Sequence, residues 1–153
     1  MKVDARNLQR LLLERISHDM VRHGFNAKPV GQEFRKNTPS GRVTLHLSFI
    51  NHETDFDVTA DVAVRFDALE ELVNKENKLL TNKEKQNTYS LGAELGNICE
   101  GRPKRWTIAG VSNIEHVSAA VRDKFVSIGI PYLDQWSDMN AAFEALRGDD
   151  EAS

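Results

Sequence analysis

The chain has 153 residues, with 40% hydrophobic and 28% charged residues and a formal net charge of −3. This length and composition suit one compact domain and exclude wholesale disorder, and the small negative charge argues against general binding of nucleic acid or membrane surfaces. A lone cysteine, Cys99, excludes an internal disulfide, and no apolar run nears the roughly 20 residues of a membrane helix, so a cytoplasmic protein is expected.

The first predicted element is a helix. From Asp4 to His23, apolar residues recur at helical spacing, and Gly24 follows where helices commonly end in the left-handed region. Residues Gln32 to Lys36 can then form a short first strand, before a turn-rich stretch over 37–41. The chain therefore opens with an amphipathic helix and a strand.

The clearest pattern in the chain runs from Val43 to Phe66. Apolar and polar residues alternate on both sides of a polar break at Asn51 to Thr54, and this period of two is typical of strands with one buried face. The pattern predicts a β-hairpin with an apolar face and an acidic face. A four-residue loop at the break would place Phe49 opposite Phe56, with the two apolar faces on the same side.

A helix, a loop and a weak strand are predicted after the hairpin. Asp67 and Glu70 have the spacing of a capping box and open a predicted helix that ends near Leu80. A polar loop over Thr81 to Asn87 and a strand over Thr88 to Leu95 come next. The apolar stripe of the helix is formed by Leu69, Leu72, Val73, Leu79 and Leu80.

The C-terminal part is predicted to add a strand and two helices. The strand spans Lys104 to Ile108, and Ser112 with Glu115 forms a capping-box pattern at the start of a helix that stops at Gly129. Pro131 can open the last helix. The apolar face of that helix is formed by Tyr132, Leu133, Trp136, Met139, Phe143 and Leu146.

Together these elements predict one α+β domain over residues 1–148. We expect an antiparallel sheet of about four to five strands, with the N-terminal helix and the C-terminal helices packed on its apolar face. Residues 149–153 are expected to be a frayed acidic tail.

Short motifs in the same order resemble a known bacterial family. They are GF at 24–25, FRK at 34–36, the hairpin, YSLGAELGNI at 89–98, a tryptophan at 106 and IPYLDQW at 130–136. Over roughly Leu8 to Trp136 the chain is similar to bacterial proteins catalogued as domain of unknown function 4304. The resemblance implies a small α+β fold of one antiparallel sheet with helices against it. It transfers no catalytic residue, because the family has no established activity, and Lys75 to Asn87 departs from its pattern.

The acidic face of the hairpin holds the main candidate site. Its members are His46 and Ser48 on the first strand and Asp55, Asp57, Thr59 and Asp61 on the second. Three interpretations are open: a solvated sheet face, a face that binds another protein, and a metal or catalytic site. Spacing disfavours the third, because same-face positions on a strand lie about 6.5–7 Å apart, whereas ligands approach one ion to about 2 Å. A metal would need a residue from another element.

Other chemistry-bearing residues have simpler interpretations. His52 and Glu53 lie at the hairpin tip, which favours a hydrated loop, and the five histidines show no metal-binding spacing. Cys99 has no local base, so a small buried residue is expected rather than a nucleophile.

A second candidate surface is basic. Gly101, Arg102 and Pro103 are similar to the GRP core of AT-hook peptides, which insert arginine into the DNA minor groove from an extended arm. Lys104 and Arg105 follow directly. The alternative is a turn with a basic rim formed by Arg102, Lys104 and Arg105.

The sequence favours a non-catalytic cytoplasmic protein that binds a basic protein partner through the acidic face, with an immunity or antitoxin-like role as one specific form. No cofactor, metal or catalytic residue is expected for that function, and the oligomeric state is left open. The alternative is a small metal-dependent hydrolase or nuclease that uses Asp57, Asp61, Glu94 and a histidine.

Overall fold

An antiparallel sheet with helices against one face forms the fold. The computed structural model describes residues 4–138 and 143–144. In chain order the elements are α1 (Ala5–Arg22), β1 (Glu33–Thr38), β2 (Gly41–Asn51), β3 (Phe56–Phe66), α2 (Asp67–Asn74), α3 (Asn82–Lys85), β4 (Leu91–Glu94), α4 (Leu95–Glu100), β5 (Trp106–Ile108), a 3₁₀ turn (Val111–Asn113), α5 (Ile114–Lys124), a π-helical turn (Phe125–Gly129) and α6 (Ile130–Trp136). The predicted α+β class is confirmed. The expected tail over 149–153, with Met139 and Leu146, lies outside the described residues.

The sheet is centred on β3. Its order is β1, β2, β3, β4, and β5 also pairs with β3. On one side β3 pairs with β2 along its whole length; on the other, residues 61–64 pair with β4 and residues 56–58 with β5. All pairs are antiparallel. The predicted number of strands is therefore confirmed.

The register of the central hairpin differs from the predicted one by two residues. Asn51 pairs with Phe56 and Phe49 with Val58, and the loop over 52–55 is closed by the His52 amide, which donates to the Asp55 carbonyl at 2.9 Å. A two-residue slip keeps every side chain on its predicted face. Phe49 and Phe56 are diagonal neighbours instead of direct partners, and their rings still meet edge to face at 5.6 Å.

The core lies between the sheet and the helices α1, α5 and α6. Helix α1 begins after Asp4, whose carboxylate accepts from the Asn7 amide at 3.2 Å, and the sheet contributes its alternating apolar face. Buried residues of this core include Leu8, Leu12, Ile16 and Met20 of α1, Val43, Leu45 and Leu47 of β2, Phe56, Val58, Val62 and Val64 of β3, Val117 and Val121 of α5, and Leu133 of α6. The opposite face of the sheet is left for polar side chains.

The C-terminal helices form one continuous helical path. The predicted stop at Gly129 is wrong, because α5 runs through the π-helical turn directly into α6. Gly129 is buried, and a Cβ there would lie 2.8 Å from a Phe125 ring carbon. Close packing therefore explains this glycine. The predicted Ser112 cap is also wrong, because Ser112 lies within the 3₁₀ turn and α5 begins after Asn113 without a side-chain cap.

The segment between β3 and β4 departs most from the prediction. Helix α2 ends at Asn74 and has no side-chain cap, so the Asp67 and Glu70 capping box is wrong. The predicted polar loop contains α3, opened by a capping box in which Thr81 and Glu84 each accept from the other's amide at 3.1 Å. Of the predicted strand over 88–95, only Leu91–Glu94 is a strand, and α4 follows it directly.

No helix in the described parts of the chain is both long and apolar enough to cross a bilayer. Phe143, which the sequence places on an apolar helix face, is 62% exposed.

Candidate functional site

The sheet face turned away from α1, α5 and α6 carries the polar side chains, and we call it the polar sheet face. Its polar members are Glu33, Arg35 and Asn37 of β1, Arg42, Thr44, His46 and Ser48 of β2, Asp57, Thr59, Asp61 and Arg65 of β3, Glu94 of β4, and Thr107 of β5. The charges are divided along the strands. An acidic half, near the hairpin loop, holds Asp57 and Asp61, and an arginine half, at the other end, holds Arg35, Arg42 and Arg65.

The acidic half contains five of the six residues predicted to bind a partner. His46 lies directly opposite Asp61, and Ser48 lies opposite Thr59. His46 Nδ1 is 4.0 Å from Asp61 Oδ2 and 3.5 Å from Ser48 Oγ. The sixth predicted residue, Asp55, lies in the hairpin loop beside this half. The structure therefore brings together the predicted set.

Asp57 is the most constrained carboxylate of the acidic half. Its Oδ1 accepts from Thr107 Oγ1 at 2.7 Å, and its Oδ2 lies 3.2 Å from His52 Nε2. The Thr107 hydroxyl is the largest cause that lowers the pKa of Asp57, followed by the hydrogen bond from His52, while nearby Arg105 adds a smaller effect. Asp57 is thus held ionised and in a fixed position between β5 and the loop.

The loop supplies the additional element that a metal site would need. His52, Asp55 and Asp57 offer ligand atoms within 4.8 Å of one another, and within the described ranges they form the one such group of histidine and acidic side chains. An imidazole with two carboxylates suits zinc or manganese. All three residues are exposed or half-buried, and such surface groups are common without an ion. Asp61 is not part of the group. This agrees with the expectation that carboxylates spaced along one strand lie too far apart to bind one ion.

Glu94, named for the metal-dependent alternative, has a structural role. Its Oε1 accepts from the Gly96 amide at 2.8 Å and from the Lys104 amide at 3.2 Å, and its Oε2 accepts from the Asn97 amide at 3.0 Å. It caps α4 and holds the following turn against it. The assignment of Glu94 to a metal or catalytic site is therefore not supported by its contacts.

The basic rim lies in a turn between α4 and β5. Gly101 ends α4 with a φ of 72°, in the left-handed region, and the Arg102 side chain is 80% exposed. Lys104 Nζ lies 5.9 Å from the centre of the Trp106 ring. These residues occupy an ordered turn, unlike the extended arm of an AT-hook peptide. Arg105 lies close enough to Asp57 to lower its pKa.

Cys99 is exposed, so the prediction of a buried cysteine is wrong. The reason is that α4 is a helix, and its inner side is occupied by Leu95 and Gly96. Lys124 Nζ lies 3.4 Å from both Cys99 Sγ and Glu100 Oε1. The hydrogen bond to Cys99 and then that to Glu100 raise the pKa of Lys124.

The arginine half is covered by the segment over 85–88, a feature that the sequence did not reveal. Arg35 Nη2 donates to Asn87 Oδ1 and Arg42 Nη2 to the Gln86 carbonyl, both at 2.7 Å. Arg65 Nη1 donates to the carbonyls of Lys85 at 3.1 Å and Thr88 at 2.8 Å. Three neighbouring strands thus hold one segment through guanidinium groups. Strand alternation predicts that Arg42 and Arg65 share a face, but nothing in the pattern identifies main-chain acceptors.

Two buried hydroxyls lie near this covered end. Thr44 Oγ1 has no hydrogen-bond partner among the described protein atoms, and the Tyr89 hydroxyl lies near Glu33 and Arg42 but outside strict hydrogen-bond geometry. The Arg42 guanidinium stacks 5.5 Å from the centre of the Tyr89 ring. Burial raises the pKa of Tyr89, and the nearby Glu33 carboxylate raises it further. The covered end is therefore polar and partly buried.

A cavity of about 350 Å³ lies between α2, α3 and the end of β3. Three of its lining residues are buried and polar: Arg65 and Asn74 at 5% exposure and Glu70 at 6%. Arg65 Nη1 and Asn74 Nδ2 both donate to Thr88 Oγ1, at 3.0 and 2.8 Å. The sequence pattern does not indicate this site, because Glu70 has the spacing of a helix cap and Asn74 lies among apolar helix positions.

Comparisons with known proteins give no information on the function of these sites. No protein-family model, no curated protein and no solved structure matches the chain. The resemblance to the bacterial family of domain of unknown function 4304 stays a prediction.

Proposed function

We propose that the chain is a non-catalytic module that binds a basic protein through the acidic half of the polar sheet face. The observation that carries this proposal is the position of that half. Its members His46, Ser48, Thr59 and Asp61 are half-exposed on a rigid sheet, while α1, α5 and α6 pack on the other side. A flat polar surface held by paired strands suits recognition of another protein.

Electrostatics support a basic partner. Asp57 and Asp61 are fixed on β3, and Asp55 adds a third carboxylate at the adjoining loop. The lowered pKa of Asp57 keeps its carboxylate charged well into the acidic range. Fixed charges of one sign speed the encounter with a partner of the opposite sign and orient it. Neutralisation of a basic toxin is one form of this function.

The contacts favour this function over a metal-dependent hydrolase or nuclease. Glu94 is engaged by three main-chain amides, and the histidine and acidic group at the loop does not include Asp61. Asp61 and Glu94 are direct cross-strand partners, but among the described residues they do not form a group of three ligand atoms with a histidine or with Asp57. An enzyme would have to work with the exposed loop group alone.

The experiment is a pull-down from the source cell with the wild type and with an Asp57→Lys, Asp61→Lys double variant. We expect the double variant to lose the wild-type partner. A Glu76→Lys, Asp123→Lys double variant makes the same change in net charge at exposed positions away from the acidic half, and it should retain the partner. Identical partner sets for all three proteins would refute the proposal.

Salt dependence tests the electrostatic part separately. Binding of the captured partner, measured by calorimetry, is expected to weaken as salt increases, because exposed charges are screened over about 10 Å at 0.1 M salt. Affinity that stays constant from low to high salt would show that carboxylates do not drive the association.

A further inference from the structure

Helix α2 packs with its polar side inward. Glu70 and Asn74 are buried, whereas Leu72 and Val73 are 72% and 62% exposed. Burial of polar side chains and exposure of apolar ones both oppose folding. Where a folded protein breaks such a local rule, the position is commonly a functional one. The orientation of α2 therefore points to a role for Glu70 and Asn74 beyond packing.

Both residues line the cavity of about 350 Å³, together with Arg65. Small-molecule sites commonly have volumes of about 300–1,000 Å³, so the cavity suits a small ligand. Lys75, Lys85 and the exposed Glu71 also border it. Its buried surface presents a guanidinium, a carboxylate and an amide, so a complementary ligand is polar.

Each of the three buried side chains has a hydrogen-bonding atom to spare. Arg65 donates through Nε and Nη1, Glu70 accepts from Ser90 through Oε2 at 2.9 Å, and Asn74 donates to Thr88 through Nδ2 at 2.8 Å. Among the residues that the structure describes, Arg65 Nη2, Glu70 Oε1 and Asn74 Oδ1 make no hydrogen bond, and they are not among the fully buried atoms without a partner, so they are open to the cavity. One donor and two acceptors thus remain for a ligand in the cavity.

The buried charges do not neutralise each other directly. The carboxylate partner of Arg65 is Asp67, at 2.9 Å, which is largely exposed, and Glu70 has a neutral hydroxyl as its partner. Buried charges are normally paired or fully hydrogen-bonded. A ligand with an anionic and a cationic group would complete both sites, since guanidinium groups bind carboxylates and a carboxylate with an amide oxygen binds an ammonium group.

We propose that this cavity binds a small zwitterion of the free α-amino-acid class. The ligand carboxylate lies on Arg65 Nη2, and its ammonium group lies on Glu70 Oε1 and Asn74 Oδ1. The site is separate from the acidic half of the polar sheet face, so either proposal can fail without the other.

Thermal denaturation of the full chain with individual L-amino acids tests the proposal. At about 10 mM, at least one amino acid is expected to raise Tm, because a ligand that binds the folded state stabilises it. Its amine analogue without the carboxylate and its N-acetyl derivative should not raise Tm. Failure of every amino acid, or equal effects of the amino acid and either analogue, would overturn the proposal.

A matched pair of variants places the binding in the cavity. Glu70→Gln should lower the affinity for the amino acid that raises Tm by about tenfold or more, as measured by calorimetry. Glu76→Gln, at an exposed position, should leave that affinity unchanged. If Glu70→Gln does not fold, amide chemical shifts of the wild type decide the matter. Ligand-induced shifts centred on Arg65, Glu70 and Asn74 support the proposal, and shifts centred elsewhere contradict it.

Discussion

Arg42 and Arg65 face each other directly across β2 and β3, and both guanidinium groups donate to main-chain carbonyls of the same segment over 85–88. Like charges on opposite strand positions are normally destabilising. Here each arginine has its own carbonyl acceptors, and Arg65 also pairs with Asp67 at 2.9 Å. The repulsion is therefore offset by charge-assisted hydrogen bonds that fix the segment between α3 and β4.

Replacement of Arg65 should destabilise the protein strongly. Arg65→Met leaves the Thr88 and Lys85 carbonyls without their charged donor, and loss of such hydrogen bonds lowers the free energy of unfolding by about 1.5–3 kcal/mol. Urea denaturation at neutral pH measures the change. Arg102→Met, at an 80% exposed side chain, should change stability by less than about 0.5 kcal/mol. Similar losses in both variants would contradict the buried role of Arg65.

The orientation of α2 predicts that its exposed apolar residues can be replaced with little loss of stability. Leu72→Ala should change the free energy of unfolding by less than about 0.5 kcal/mol, because the side chain is largely exposed already. Leu12→Ala, at a fully buried position of α1, should cost about 2–5 kcal/mol. Urea denaturation of the two variants compares them directly. A loss at Leu72 comparable to that at Leu12 would mean that α2 packs with its leucines inward.

The Thr107 hydroxyl controls the titration of Asp57. Thr107→Val removes the largest cause of the lowered pKa, so the pKa of Asp57 should rise toward its ordinary value of 3.8. Because the folded pKa lies below the unfolded one, Asp57 stabilises the wild type above the unfolded pKa, and this stabilisation is lost as pH falls through the folded pKa.

NMR titration of the Asp57 carboxyl carbon measures the shift, and urea denaturation as a function of pH measures the linked stability. The variant should be less stable than the wild type at neutral pH, and the difference should shrink below the ordinary pKa of 3.8. Thr59→Val on the same face is the control, since the hydroxyls that set the Asp57 pKa do not include Thr59. A raised pKa in the control would point to a general effect of the surface.

The start of β2 has room for glycine alone. A Cβ at Gly41 would lie 2.0 Å from the Arg65 carbonyl oxygen, so Gly41→Ala must displace backbone and should cost about 3 kcal/mol or more. At Gly110 nothing lies within 4 Å of an added Cβ, and its φ of −170° suits any residue. Gly110→Ala should be neutral within about 0.5 kcal/mol. Thermal or urea denaturation that ranks the two variants equally would contradict the close approach at Gly41.

Alternation of side chains was sufficient to predict the faces of the central hairpin but not its register. The predicted and observed pairings of Phe49 differ by two residues, and a shift of two leaves the face of every residue unchanged. The choice between the two pairings depends on the loop, where the hydrogen bond from His52 to Asp55 sets the ends of the strands. The polar sheet face was therefore predictable, and its cross-strand partners were not.

Helical periodicity likewise identified α2 as amphipathic but not the side that faces inward. Leu69, Leu72 and Val73 share one stripe, and the structure turns this stripe to the solvent and buries Glu70 and Asn74. A stripe is a property of the helix alone, whereas its orientation depends on Thr88 and Ser90, which bond to the buried polar groups from beyond α3. The cavity at this place could not be inferred for the same reason.

The segment over 67–90 is a single insertion between two adjacent strands of the sheet. It leaves the sheet at the end of β3 and returns at the start of β4, where Val64 and Leu91 are direct antiparallel partners. Topologically it is an enlarged hairpin turn, so a short turn in its place would keep the order of the strands but would remove the acceptors of Arg35, Arg42 and Arg65. The cavity and the exposed leucines of α2 would be gained or lost as one unit, leaving the helix-covered core intact.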